Sequence, residues 1–301
     1  GLSVAAGLGL AARADELDQR IYCIIGDGEA REGQIWEAVD FIMDHQITNV
    51  LPIFNCNTLG QAGSVSPQQS TTCLADKLKA FGCEVVTIDG HDPAAIKRAF
   101  DQFADGPSTP MAVIANTQKG WGVPCMQGGG WHGKVATGEK LEQAQKELAA
   151  TGTTLTGSLS SDSLTIYPPT VEARPSVEAR APMSFLQAAD QWDLRSAVQQ
   201  GRLSTRKAFG LALRAMGHTD GRIWSLDADV CNSTFAEWFA GDPELKARFA
   251  ECKIAEQNMI SVGAGLAAAG RAGEDQHAGG LFQKVGELFR DLTLMVEFRQ
   301  G

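Results

Sequence analysis

The chain has 301 residues, 44% hydrophobic and 21% charged, enough for two ordinary domains with real cores, which excludes a disordered or fibrous polymer. Its formal charge of -10, from 26 Lys+Arg against 36 Asp+Glu, argues against nucleic acid or a membrane surface as partner, because both present negative charge. Seven cysteines without a CxxC pair form neither a disulfide framework nor a zinc ligand set, and Tyr22-Cys23-Ile24 lies in an apolar run, so a reducing, cytoplasmic compartment is expected. No apolar run reaches the roughly 18 residues of a membrane span. The chain opens on Gly1-Leu2-Ser3, already inside a small-residue helix, and the expectation is that the natural N-terminus lies upstream.

Short apolar runs bounded by Gly or Asp then alternate with amphipathic stretches of helix length, the pattern of parallel α/β structure. Strands are expected over Ile21 to Ile25, Val50 to Phe54, Glu84 to Ile88 and Met111 to Ala115, with helices over Gln34 to Asp44, Leu74 to Phe81 and Pro93 to Phe103. A further strand, Ile223 to Leu226, comes much later. Between the two groups, Thr151 to Pro182 is rich in Ser, Thr and Pro and reads as linker. The expected organisation is a domain over 1–155, a connector over 156–184, and the beginning of a second α/β domain over 185–301.

At the end of the first strand, Gly26-Asp27-Gly28 holds a carboxylate between two glycines at the sheet edge where open α/β folds bind ligands. Glycine there lets a phosphate approach the backbone closely. Taken alone, the tripeptide is better explained as a tight strand-to-helix turn; its partner changes that. After one helix and one strand, Asn55-Cys56-Asn57 reaches the equivalent edge, about one βαβ unit later, so the two ends lie side by side. Asp, Asn and a carbonyl are hard oxygen ligands suited to Mg²⁺ that also holds diphosphate oxygens.

These residues resemble the thiamine-diphosphate motif of GDG followed by an Asn-ended strand. The resemblance implies Mg²⁺, or Ca²⁺ or Mn²⁺ in its place, bound by the side chains of Asp27 and Asn57 and the carbonyl of Leu59. Gly26, Gly28 and Glu29 join them as cofactor-binding positions, although a carboxylate in a first helical turn is explained by the dipole alone.

Further along, Lys119-Gly120-Trp121-Gly122-Val123-Pro124 and Gly130-Trp131-His132-Gly133 look like the transketolase segment that closes over this cofactor. A lone His in a Gly-rich loop is ordinarily a polar loop residue; with the resemblance, His132 becomes an active-site histidine that binds the cofactor. Arg31-Glu32-Gly33 matches the family's GDGxxxEG pattern, implying that Glu32 joins a carboxylate network linking the two cofactors of a dimer. Ser225-Leu226-Asp227-Ala228-Asp229-Val230 resembles the opening strand of the family's pyrimidine domain, and Ile254-Ala255-Glu256-Gln257-Asn258-Met259 its IAEQNM motif. The small residues that follow, Gly263 to Gly270, also fit plain helix packing. The resemblance places Glu256 as a catalytic and cofactor-binding carboxylate in a largely apolar pocket, its pKa raised, sharing a proton with the cofactor's pyrimidine nitrogen.

What the transketolase resemblance implies is a parallel-sheet thiamine-diphosphate-binding fold, with a diphosphate domain followed by a partial pyrimidine domain. The implied working unit is a homodimer with its active site at the subunit interface. The implied reaction transfers a two-carbon ketol unit from a ketose phosphate to an aldose phosphate. The likeness covers roughly 1–150 and 203–270 and fails after Arg271, where Leu281 to Val296 is an amphipathic stretch. Cys56 stands where many relatives carry Asp. A deoxyxylulose-phosphate synthase, a 2-oxo-acid dehydrogenase component and a non-catalytic cofactor-binding subunit remain open, whereas a dinucleotide enzyme is disfavoured by the absence of a GxGxxG turn after the first strand.

Overall fold

The computed structural model describes residues 1–128, 130–155 and 183–271, so most of the expected connector and the stretch Leu281 to Val296 lie outside the described residues. The chain divides into two compact units, Arg20–Arg174 on the one hand, and Ser3–Gln19 with Pro175–Gly301 on the other.

In Arg20–Arg174, strands β1 (Ile21–Gly26), β2 (Val50–Cys56), β3 (Glu84–Asp89) and β4 (Met111–Asn116) form one parallel sheet in the order β1-β2-β4-β3. β4 is buried from Met111 to Ala115, the continuous apolar run of a strand covered on both faces. Leu51, Met111 and Val113 pack with Ala99 and Phe103. The last two lie on the helix Pro93–Ala104, which starts where Asp92 accepts the Ala94 amide and Pro93 occupies the first turn. The preceding helix, Thr71–Ala80, is capped by Ser70, which accepts the Cys73 amide, and the sheet's first crossover is the helix Gly33–Asp44. All four expected strands and all three expected helices of this unit form, with ends displaced by a few residues.

Two local expectations change. The helix does not follow Gly28 directly: Glu29–Arg31 is a single 3₁₀ turn, and the α-helix begins at Gly33 after Glu32 leaves the helical region with ψ 129°. Trp36 holds that turn, its indole Nε1 donating to the Ala30 carbonyl at 3.1 Å while its ring stacks on Phe54 and Phe81. The linker composition beginning at Thr151 is helical at its start, because the helix Glu139–Thr154 runs through it; Thr153 and Thr154 satisfy their hydroxyls on the Ala150 and Thr151 carbonyls.

In the other unit, the helix Leu2–Ala14 crosses the helix Glu256–Ala268 at glycine contacts. A Cβ on Gly265 would stand 2.2 Å from the Val4 carbonyl oxygen, and one on Gly7 2.2 Å from that of Val262, so the two backbones touch where only glycine fits. The Arg271 guanidinium and the Asp15 carboxylate pair beside this crossing. By its contacts the first helix therefore groups with this unit. The same unit contains helix Thr205–Thr219, capped by Ser204, and two short parallel strands, β5 (Ser225–Asp227) and β6 (Phe249–Glu251). The expected strand from Ile223 starts two residues late. Arg248 draws the carbonyls of Gly217, Asp220 and Ile223 to its guanidinium, which removes Ile223 from the ladder.

Candidate functional site

Residue pairing in the sheet fixes the site's frame. Gly26 pairs with Asn55, and Cys56 with Asn116, so the chain leaves β1, β2 and β4 at one common edge. Asp27 is 3% exposed there, its amide donating to the Asn55 carbonyl at 3.2 Å. A bare buried carboxylate would be costly; this one accepts three backbone amides. Gly28 donates to Oδ1 at 2.8 Å, and Asn57 and Thr58 donate to Oδ2 at 2.9 and 2.5 Å. Thr58 turns the chain with φ +62°, a left-handed conformation rare for a β-branched residue. That turn directs two successive amides at one oxygen. Asn57 in turn accepts the Leu59 amide through its Oδ1 at 3.1 Å. Between these residues, burial first and Asp27's charge second push the Cys56 thiol up to about 12, so it stays protonated and contributes no charge to the edge.

The donor set fits a divalent cation by capacity. A carboxylate offers about four lone-pair positions, and three are used, leaving one on Oδ1; the Asn57 amide oxygen retains one as well. The glycines fit a phosphate by their openness. Gly28 has φ −64°, and a Cβ on Gly26 or Gly28 would meet neighbours only at 3.8 and 3.7 Å, so no demand of the chain itself requires glycine there. Glu29 folds back from the 3₁₀ turn so that its Oε2 accepts the Gly26 amide at 3.1 Å; it braces the turn.

Beside this edge, Leu59, Gly60, Gly63, Lys119, Gly130 and His132 line a pocket. Lys119 Nζ donates to the Gly60 carbonyl at 3.2 Å and lies 3.2 Å from His132 Nδ1. An ammonium has no acceptor, so Nδ1 is the acceptor and the imidazole carries its proton on Nε2. The structure thus brings Asp27, Asn57, Leu59 and His132 to one edge of one unit. Glu32 is exposed, at the N-cap of the Gly33–Asp44 helix.

Glu256 lies in the other unit, as the first residue of its helix, and is exposed in the single chain. The apolar pocket expected around it is not formed by the described residues. Among those residues the one grouping of three metal-capable His, Cys, Asp or Glu side chains is Asp227, Cys231 and Glu251, none of them an expected ligand; its carboxylates accept the amides of Val230, Asp229 and Lys253.

Sequence reasoning missed Thr58, whose role is carried by its backbone, and Asn55, whose Oδ1 accepts the Thr117 hydroxyl at 2.5 Å and ties β2's end to the loop after β4. It also missed His91, whose Nε2 accepts the Gln118 amide. An Asn on either side of Cys56 was the available signal for the second of these.

Two family models match the chain: "Transketolase, thiamine diphosphate binding domain" over residues 9–155 and "Transketolase, pyrimidine binding domain" over residues 201–273. Human transketolase is 34% identical over 274 residues, covering 90% of this chain and 41% of its own length; mouse transketolase is 35% identical with 89% and 40% coverage. Transketolase-like protein 2 of cattle is 34% identical, with 90% and 41% coverage. The chain thus spans about two fifths of the curated relatives it matches. Transketolase from Campylobacter jejuni superposes with a TM-score of 0.62 at 19% identity, over 90% of this chain and 45% of that one, which supports the fold. With both domain models in chain order on the parallel-sheet units described above, the chain belongs to the transketolase family.

Proposed function

We propose that this chain supplies the two protein halves of a thiamine-diphosphate site for ketol transfer. The reading is carried by one observation: Asp27, buried at the end of β1, is held by the amides of Asn57 and Thr58 with one carboxylate position left over. Asp27, Asn57 and the Leu59 carbonyl would hold Mg²⁺, and the open backbone over Gly26 and Gly28 would receive the diphosphate. The bound cofactor supplies the nucleophilic carbon at which a carbon–carbon bond next to a carbonyl is broken and remade. Lys119 fixes the His132 tautomer, leaving Nε2–H as a donor. Glu256 would hold a proton at the pyrimidine nitrogen.

Glu256 is exposed, and so are Ile254, two residues before it, and Ile260, one turn later on the same helix face. A carboxylate flanked by exposed isoleucines supports a homodimer in which a second copy completes the apolar wall. The substrates on this reading are sugar phosphates, a ketose phosphate as donor and an aldose phosphate as acceptor. Titration calorimetry with thiamine diphosphate, with and without Mg²⁺, beside turnover of xylulose 5-phosphate with ribose 5-phosphate, tests it. Mg²⁺-dependent binding with turnover supports the full reading; binding without turnover favours a non-catalytic cofactor-binding protein, and no binding rejects both.

A further inference from the structure

We propose that His91 is a positioning residue of the cofactor pocket: its imidazole clamps the turn that carries Lys119, and through Lys119 it holds His132. The inference rests on the functional reading above only for what the pocket binds.

His91 follows β3, at the far edge of the sheet from Asp27, and no motif marks it. The chain there is pressed against the loop after β4. The Gly90 amide donates to the Asn116 carbonyl at 2.8 Å, and a Cβ on Gly90 would lie 2.4 Å from the Thr117 methyl, so glycine is required for this approach. Asp89 Oδ1 accepts the His91 amide at 2.8 Å and sets the direction of the residue. From there the ring spans the next turn from end to end. Its Nε2 accepts the Gln118 amide at 2.8 Å, and its face stacks on Trp121 with centroids 4.6 Å apart and planes 6° from parallel. Gln118 and Trp121 are the first and last residues of a turn closed by the Trp121 amide on the Gln118 carbonyl at 3.0 Å.

Between them stand Lys119, which reaches Gly60 and His132, and Gly120, at φ +79°. The loop beyond contains further left-handed glycines, Gly122, Gly128, Gly130 and Gly133, so its backbone has little stiffness of its own. A side chain from outside the loop that fixes both ends of one turn limits where Lys119 Nζ can go. The stack also covers part of the face of Trp121, which is 40% exposed.

Three substitutions separate the two contacts. His91→Gln keeps an acceptor at the Nε2 position and loses the stack, His91→Phe keeps the stack and loses the acceptor, and His91→Ala loses both. Hydrogen exchange of the 117–128 segment is measured on each, with the β1 and β2 segments as internal reference, and thiamine diphosphate affinity is measured in Mg²⁺. The expected result for His91→Ala is exchange faster by about tenfold in 117–128 alone, with affinity weaker by about tenfold, the scale of one lost hydrogen bond with its loop ordering. His91→Gln is expected to restore most of the protection at the Gln118 amide, which His91→Phe does not. Unchanged exchange in His91→Ala overturns the proposal, as does a loosened loop with unaltered affinity. A wild-type chain that binds no thiamine diphosphate defeats the functional reading instead, and the exchange data then decide the clamp by themselves.

Discussion

Asp27 Oδ2 accepts the backbone amide of Asn57 at 2.9 Å, across 30 positions of the chain. The bond joins the ends of β1 and β2 beyond their last ladder pair, and the Thr58 amide doubles it on the same oxygen. The carboxylate is therefore a structural acceptor, whatever it would ligate. Asp27→Ala leaves three amides without their acceptor, and at about 1 kcal/mol each the expected loss is about 2–3 kcal/mol. Asp27→Asn retains one acceptor oxygen and is expected to lose about half of that. Both variants are expected to lose Mg²⁺-dependent thiamine diphosphate binding. Urea unfolding followed with calorimetry checks the pair, and Asp27→Asn with wild-type affinity would remove Asp27 from the metal site.

Much of this edge was legible because parallel strands are chemically distinctive. Leu51, Ile53, Val113 and Ile114 are apolar because both sheet faces are covered, and a residue placed just after such a run sits at the ligand edge. That reasoning found Asp27 and Asn57, whereas the loop containing His132 was found by its resemblance to the transketolase segment. It could not find Thr58, because a threonine in left-handed conformation is imposed by the geometry of two amides converging on one oxygen, not by its own preference. Nor could it find the His91 clamp, which depends on β3 lying next to β4 and is invisible in spacing along the chain. The wall around Glu256 was illegible for another reason. A motif names a residue's role in an assembly, whereas its burial belongs to whichever chain supplies the wall.

The glycines at the crossing of the Leu2–Ala14 and Glu256–Ala268 helices give a second prediction. Backbone atoms cannot move aside as a flexible side chain can, so Gly265→Ala must push the helices apart at Val4. The expected cost is about 1–3 kcal/mol, the usual range for overpacking a close contact. Gly7→Ala acts on the same crossing, so the double variant is expected to lose clearly less than the sum of the two. Gly263→Ala is the control: its Cβ would stand 3.3 Å from the Leu226 Cδ1, a side-chain end that can shift. Thermal unfolding of the four proteins checks this, and equal losses at 263 and 265 would contradict the close crossing.

Asp242 supplies the pH prediction. Its side chain is 4% exposed, with Arg214 Nε and His218 Nε2 both 2.8 Å from Oδ2, and the Arg214 guanidinium lies over Trp192. Burial pushes this carboxyl up, but hydrogen bonds from His218, Arg214 and the Glu244 amide outweigh it and hold it at about 2, against the usual 3.8. A folded value below the unfolded one contributes stability that is present above about pH 4 and is lost as pH falls towards about 2. The contribution is about 2 kcal/mol. Asp242→Asn is expected to lack this part of the acid slope and to lose about 3 kcal/mol at neutral pH, since Arg214, a quarter exposed, keeps its charge without a counter-ion. Urea unfolding across the acid range for both proteins checks it. Parallel pH curves for the variant and the wild type would show that Asp242 is not held low.

On the proposed reading, Glu256 would join the chain's chemistry to its assembly. As an exposed residue in the first turn of its helix it contributes to folding only through the dipole, so Glu256→Gln is expected to change stability by less than about 1 kcal/mol. Its proposed work is at the pyrimidine nitrogen, so the same variant is expected to slow thiazolium proton exchange of bound thiamine diphosphate by about 10²-fold or more. Affinity for the cofactor is expected to change little, because on the proposed reading Asp27 and Asn57, in the other unit, would hold the diphosphate and Mg²⁺. The exchange assay, read by proton NMR against protein concentration, also tests the homodimer. If a second copy forms the apolar wall beside Ile254 and Ile260, wild-type exchange per chain rises with concentration as chains pair, and in Glu256→Gln it stays flat. Exchange in Glu256→Gln equal to wild type would remove this carboxylate from the chemistry, and wild-type exchange independent of concentration down to the monomer range would place the whole site within one chain.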